Sequence, residues 1–148
     1  MKLVSACLLG VKCRYDGKSK PNKKIISIFR RGQLIPICPE QLGGLTTPRV
    51  PAELTGDGAE VLDGKAKVFK RTGEDVTKNF IKGAKETIKL ARLLDIKGAI
   101  LKQKCPSCAC GKLFDGTFSE KIIEADGVTT ALLKRNGIKV VTEEAFNI

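Results

Sequence analysis

Short apolar runs alternate with stretches of helical periodicity along this chain, and that alternation predicts an α/β domain. Residues 2–6 carry Leu3 and Val4 and predict a first strand. Residues 22–31 place apolar side chains at Ile25, Ile26 and Phe29, predicting a short helix closed by Gly32. Residues 33–37 predict a second strand, with Pro36 marking its end rather than its middle. Residues 39–58 contain Pro39, Gly43, Gly44, Pro48, Pro51, Gly56 and Gly58, the composition of a long ordered loop. Residues 60–69 then read as a hairpin turning at Asp63-Gly64.

The strongest helical pattern covers residues 74–94. Val76, Phe80, Ala84, Ile88 and Ala91 form one apolar stripe, with Thr72 as the expected cap and Glu74 and Asp75 favouring the helix dipole. Lys78, Lys82, Lys85, Lys89 and Arg92 form a basic stripe on another face, which reads first as a solvated face and second as a phosphate-tracking one. Residues 98–102 predict a third strand. Residues 128–135, capped by Asp126 and ended by Gly137, predict a last helix, and residues 138–142 a fourth strand. Strands alternating with helices imply right-handed crossovers and a parallel sheet. The expected fold is a single Rossmann-like, three-layer α/β domain over residues 1–148, with a mostly parallel sheet of about four strands plus a small β-hairpin.

Composition narrows the chemistry. No apolar run approaches the ~18–20 residues of a membrane span, and no secretory leader pattern is present, so a cytoplasmic location is expected. In a reducing compartment the six cysteines point to metal, redox or nucleophilic chemistry rather than disulfides. The absence of histidine removes the commonest nitrogen ligand and the usual general base. Thiolate-only ligation suits iron–sulfur clusters or structural zinc. Lys and Arg number 27 against 16 Asp and Glu, a net charge of +11 that admits polyanionic partners such as RNA; aromatic residues are few and show no stacking array.

Placed on the strand map, Cys7 follows the first strand, Cys38 the second, and Cys105 and Cys108 the third. Ligands of open parallel sheets bind beyond the carboxyl ends of the strands, so these distant thiols are expected at one edge. Taken alone, Cys105-Pro106-Ser107-Cys108 also fits a dithiol redox pair or half of a zinc knuckle.

Several segments together carry a family resemblance. They are Ser5-Ala6-Cys7-Leu8-Leu9-Gly10 with Arg14-Tyr15-Asp16-Gly17, Ile37-Cys38-Pro39-Glu40 with Gly43-Gly44-Leu45 and Pro48-Arg49, and Leu101-Lys102 with Pro106-Ser107-Cys108. Asp115-Gly116-Thr117-Phe118 and Asp126-Gly127-Val128 complete the set. In this order they resemble the thiouracil desulfidase family over nearly the whole chain. The resemblance implies a 4Fe–4S cluster held by Cys7, Cys38 and Cys108, with the fourth iron free of protein ligands. Cys13 is then a spare thiol or alternative ligand. Cys105 and Cys110 stand where the family pattern has Ser, which leaves a fourth ligand open.

The implied activity is non-redox, hydrolytic desulfuration of a small thiopyrimidine such as 2-thiouracil, releasing hydrosulfide. Glu40 is the candidate acid–base group and Ser107 a candidate hydrogen-bond donor to substrate. Arg14 and Arg49 either order the loops around the cluster, or offset its negative charge, or pair with acids elsewhere, while Glu53, Glu143 and Glu144 read as surface carboxylates. Thiouridine in tRNA is the alternative substrate. A thiol–disulfide oxidoreductase and a non-catalytic iron–sulfur or zinc protein are the alternatives of another class.

Overall fold

The computed structural model describes residues 1–146. Its elements, in chain order, begin with β1 (Lys2–Ser5), a 3-10 turn (Ala6–Leu9), α1 (Lys23–Phe29), β2 (Leu34–Ile37) and α2 (Pro39–Leu42). Next come β3 (Ala52–Leu54), α3 (Gly58–Leu62), β4 (Val68–Lys70), α4 (Thr77–Leu93) and β5 (Gly98–Leu101). The chain closes with β6 (Leu113–Phe114), β7 (Ile122–Ile123), α5 (Val128–Arg135) and β8 (Lys139–Thr142). The central sheet has the order β2-β1-β5-β8, and every pairing in it is parallel.

Side-chain alternation in β1 sets up the layers. Leu3 joins Ile88 and Ala91 of α4 and Leu133 of α5 in one core, whereas Val4 joins Ile25 of α1, Leu34 and Ile100 in another. Helices therefore cover both faces, as a parallel sheet requires. The predicted α4 stripe is buried throughout, from Val76 to Ala91. Among the described residues no helix is long and apolar enough to cross a membrane.

Three local expectations are corrected. Residues 60–69 are not a hairpin: Asp57 and Glu60 form a reciprocal capping box that starts α3, and Asp63-Gly64 merely ends it. The true pairing joins β4 to β3, antiparallel, from within the stretch expected to be loop, and β6–β7 is a second small antiparallel pair. Helix α4 begins at Thr77 rather than Glu74, because residues 74–76 are held as backbone partners of β4: Lys70 N–H donates to the Glu74 carbonyl and Val76 N–H to the Val68 carbonyl. Asp75 accepts from Thr77 N–H, and Thr72 plays no capping part. Asp126 does not cap α5 either. Gly127 precedes that helix, while Asp126 accepts from Gly111 N–H and pairs with Lys134 at 2.9 Å.

Two close backbone contacts hold the cysteine-bearing segments in place. A Cβ on Gly83 would overlap the Pro39 carbonyl, and one on Gly43 the Asn79 carbonyl, so α2 and α4 meet backbone to backbone. The Pro106 and Ser107 carbonyls accept the N–H groups of Val128, Thr129 and Thr130, which fastens the 105–108 segment to the start of α5.

Candidate functional site

The strand order reverses between β1 and β5, and a cavity of about 400 Å³ opens beyond their carboxyl ends, at the topological switch point. Five of the six cysteines line it: Cys7, Cys13, Cys38, Cys105 and Cys108. Cys7 sits in the 3-10 turn after β1, Cys38 directly precedes α2, and Cys105 and Cys108 lie on the segment anchored to α5. Cys110 faces a separate shallow groove with Asp126 and Lys134.

The thiols fall into two touching groups. Cys13 neighbours both Cys38 and Cys7, and the Cys38 thiol donates to the Cys13 carbonyl at 3.8 Å. The neighbouring Cys38 thiol favours the Cys13 thiolate, but Cys7 and burial outweigh it and push the Cys13 thiol up to about 11. Cys38 is raised, by its bond to Cys13 and then by burial. Cys108 is raised by its contact with Cys105, then by complete burial; the Ser5 hydroxyl, which accepts from Lys102 N–H at 2.9 Å, bonds it in opposition. With their thiols raised, Cys13, Cys38 and Cys108 keep their protons at neutral pH, and a metal bound by a thiolate would remove its proton outright.

Beside the thiols stands a buried ion pair. Arg49 Nε donates to Glu40 Oε1 at 3.0 Å, and the two side chains are 4% and 10% exposed. The same guanidinium donates to the carbonyls of Cys13 (2.9 Å) and Thr46 (3.1 Å) and to Thr47 Oγ1 (2.9 Å). The second oxygen of Glu40, Oε2, accepts from the Cys105 thiol at 3.2 Å. Arg49 therefore orders the loops around the cavity, and the acid it pairs with is Glu40 of the site itself rather than one elsewhere. Arg14 pairs locally with Asp16 at 3.2 Å.

The structure thus brings Cys7, Cys38, Cys108 and Glu40 to one cavity, and it does not bring Ser107 there. Ser107 is fully buried, its hydroxyl has no hydrogen-bond partner among the described residues, and it is absent from the cavity lining. Two carboxylates expected at the surface are structural. Glu143 pairs with Lys102 at 3.0 Å and accepts from Gln103 N–H at 2.7 Å; Glu53 accepts from the N–H groups of Gly116 and Phe118. Glu144 is the surface residue expected, paired with Lys112.

Two polar residues of structural weight carry no clear signal in the sequence. Ser5 lies within the first family-like segment, but nothing local marks it as a partner of Cys108. Gln103 stands in no motif, yet it is buried and its amide oxygen and nitrogen hold the backbone of Cys110.

The donor set fits an iron–sulfur cluster. Thiols are the available soft donors in a chain without histidine. Among the described residues no three Cys, Asp or Glu side chains close around a single ion. Cysteines that bind separate irons of one cluster need no such closure, because they stand about 6–7 Å apart.

Comparison with known proteins agrees with this geometry. An uncharacterized protein of Bacillus subtilis (strain 168), YbbK, is 44% identical over 148 residues, covering 99% of this chain and 98% of that protein. The solved structure of the [4Fe-4S]-dependent thiouracil desulfidase TudS superposes with a TM-score of 0.87 at 40% identity, covering 97% of this chain and 90% of that one. The family model of 2-thiouracil desulfurase matches residues 3–145. With a match over that span, this chain belongs to the 2-thiouracil desulfurase family.

Proposed function

We propose that this protein is a 4Fe–4S-dependent thiouracil desulfidase that converts a free thiopyrimidine and water to the oxo-pyrimidine and hydrosulfide. The observation that carries the reading is the cavity at the switch point, in which buried thiols stand beside a carboxylate fixed by Arg49. The solved relative is named for the same cofactor and substrate. Cys7, Cys38 and Cys108 would hold the cluster. When bound, the cluster supplies a soft Lewis-acidic iron suited to a thiocarbonyl sulfur.

The chain's own residues then handle position and protons. Arg49 occupies Oε1 of Glu40 and fixes the carboxylate in its buried setting, while Cys105 donates to Oε2 and orients it. Glu40 Oε2 takes a proton from the water that adds to the ring carbon and returns one as the sulfur departs, so no electrons are exchanged. Ser107, buried and outside the cavity lining, is given no part in handling the substrate.

No observation favours tRNA. The five cations of α4 are exposed and none lines the cavity, Lys89 is paired with Glu86, and neither the family nor the solved relative is named for a tRNA substrate. The test is Glu40→Gln in anaerobically reconstituted protein. Iron content and cluster absorption should match wild type while thiouracil turnover falls ~10²–10⁴-fold. Turnover within a few-fold of wild type removes Glu40 from the chemistry.

A further inference from the structure

Three of the seven aromatic residues, Tyr15, Phe114 and Phe118, line the cavity. Phe114 and Phe118 are half-buried, and neither joins any of the three core clusters. Aromatic rings held in a cavity wall without a packing role are available to a ligand.

The backbone under Phe118 is unusual in the same direction. Phe118 has φ 56° and Glu120 φ 63°, and with Lys104 (φ 65°) they account for three of the four non-glycine residues in the left-handed region among the described residues; all three line the cavity. For a bulky side chain this conformation is disfavoured and persists only where the surroundings impose it. Here the surroundings are identifiable. Glu53 Oε1 accepts from Gly116 N–H at 3.0 Å and Phe118 N–H at 3.1 Å. Gly116 lies so close to the Leu54 carbonyl that a Cβ would overlap it. The Arg71 guanidinium, also in the lining, stands 5.7 Å from the centre of the Phe118 ring.

We propose that Phe118 is the stacking surface for the flat heteroaromatic ring of the substrate, and that Glu53 is the positioning residue that clasps residues 116–118 to β3 so the ring is presented to the cavity. The inference rests on the desulfidase reading and adds to it the residue that selects a planar pyrimidine over non-aromatic thiocarbonyl compounds. Phe118 takes the ring, and Glu53, which also lines the cavity, acts through its bonds to the N–H groups of Gly116 and Phe118.

Equilibrium dialysis of uracil, the desulfurated base, against cluster-loaded protein tests this without turnover. Phe118→Leu should weaken binding about 10–100-fold, the range of base–aromatic stacking, whereas Phe118→Tyr stays near wild type. Glu53→Ala should weaken binding as Phe118→Leu does, and Glu53→Gln, which keeps the accepting oxygen, should restore most of it. In turnover the same factor should appear in KM, with kcat little changed. Unchanged uracil binding in Phe118→Leu overturns the proposal, as does weakening in Glu53→Ala alone. Wild-type protein that binds uracil through Phe118 but leaves thiouracil intact would instead overturn the desulfidase reading and leave the stacking surface standing.

Discussion

Arg49 is where fold and site are joined, and replacing it tests the join. Arg49→Met keeps an apolar stem but removes four donated bonds, to Glu40 Oε1, the carbonyls of Cys13 and Thr46, and Thr47 Oγ1. Both members of the pair are at least nine-tenths buried, so Glu40 is left as a carboxylate without a cation. Breaking a buried pair from one side costs about 3–5 kcal/mol. For a domain of this size each kcal/mol moves Tm by about 2–4 °C, so the midpoint should fall by about 10 °C. Thermal unfolding followed by circular dichroism reads this directly. The double variant Arg49→Met with Glu40→Gln leaves no buried charge and should recover more than half of the loss, a coupling that a double-mutant cycle isolates. Arg49→Lys keeps the charge without the planar fork and should fall between. A shift below about 3 °C in Arg49→Met would be too small for a broken buried pair and would refute its role as the clamp of this site. A double variant no better than the single would refute it equally.

Further outcomes rest on the same contacts. Gly83→Ala drives a methyl into the Pro39 carbonyl and must separate α4 from the helix that carries Glu40; it should cost about 1–3 kcal/mol by the usual scale of overpacking, read as a fall in denaturation midpoint together with reduced turnover. Cys38→Ser should lose iron while Cys13→Ser retains it, by iron per chain; equal loss in both would mean a closed four-cysteine site. Lys102→Met breaks the largely buried pair with Glu143, 17% and 14% exposed, and should lower Tm by several degrees, partly restored when Glu143→Gln is added.

The parts legible in the sequence are those written in neighbouring residues. The four strands are short apolar runs, the α4 stripe repeats at helical spacing, and strand ends followed by cysteine sufficed to gather Cys7, Cys38 and Cys108 at one edge. Illegible parts were decided by competition or distance. The D-x-x-E box from Asp57 to Glu60 and the Asp63-Gly64 turn signal overlap, and the box won because its helix packs Val61 into the core. Residues 74–76 have helical residue types, yet β4 needed a backbone partner. The acceptor roles of Glu53 and Glu143 depend on groups 63 and 40 residues away, which no local pattern reveals. Ser107 adjoins Cys108 and so looked close to substrate, but α5 draws its carbonyl inward and buries the hydroxyl.

The most direct test of the desulfidase reading is the stoichiometry of a single anaerobic reaction. Wild-type protein, loaded with iron and sulfide and freed of reductant, is given 2-thiouracil, and uracil, hydrosulfide and remaining substrate are quantified together. One uracil and one hydrosulfide should appear for each thiouracil consumed over many turnovers, with no electron donor. Protein carrying Cys7→Ser, Cys38→Ser or Cys108→Ser should give no product. Cluster-loaded wild type that leaves thiouracil intact, or releases hydrosulfide only when a reductant is supplied, would contradict non-redox desulfuration at this site.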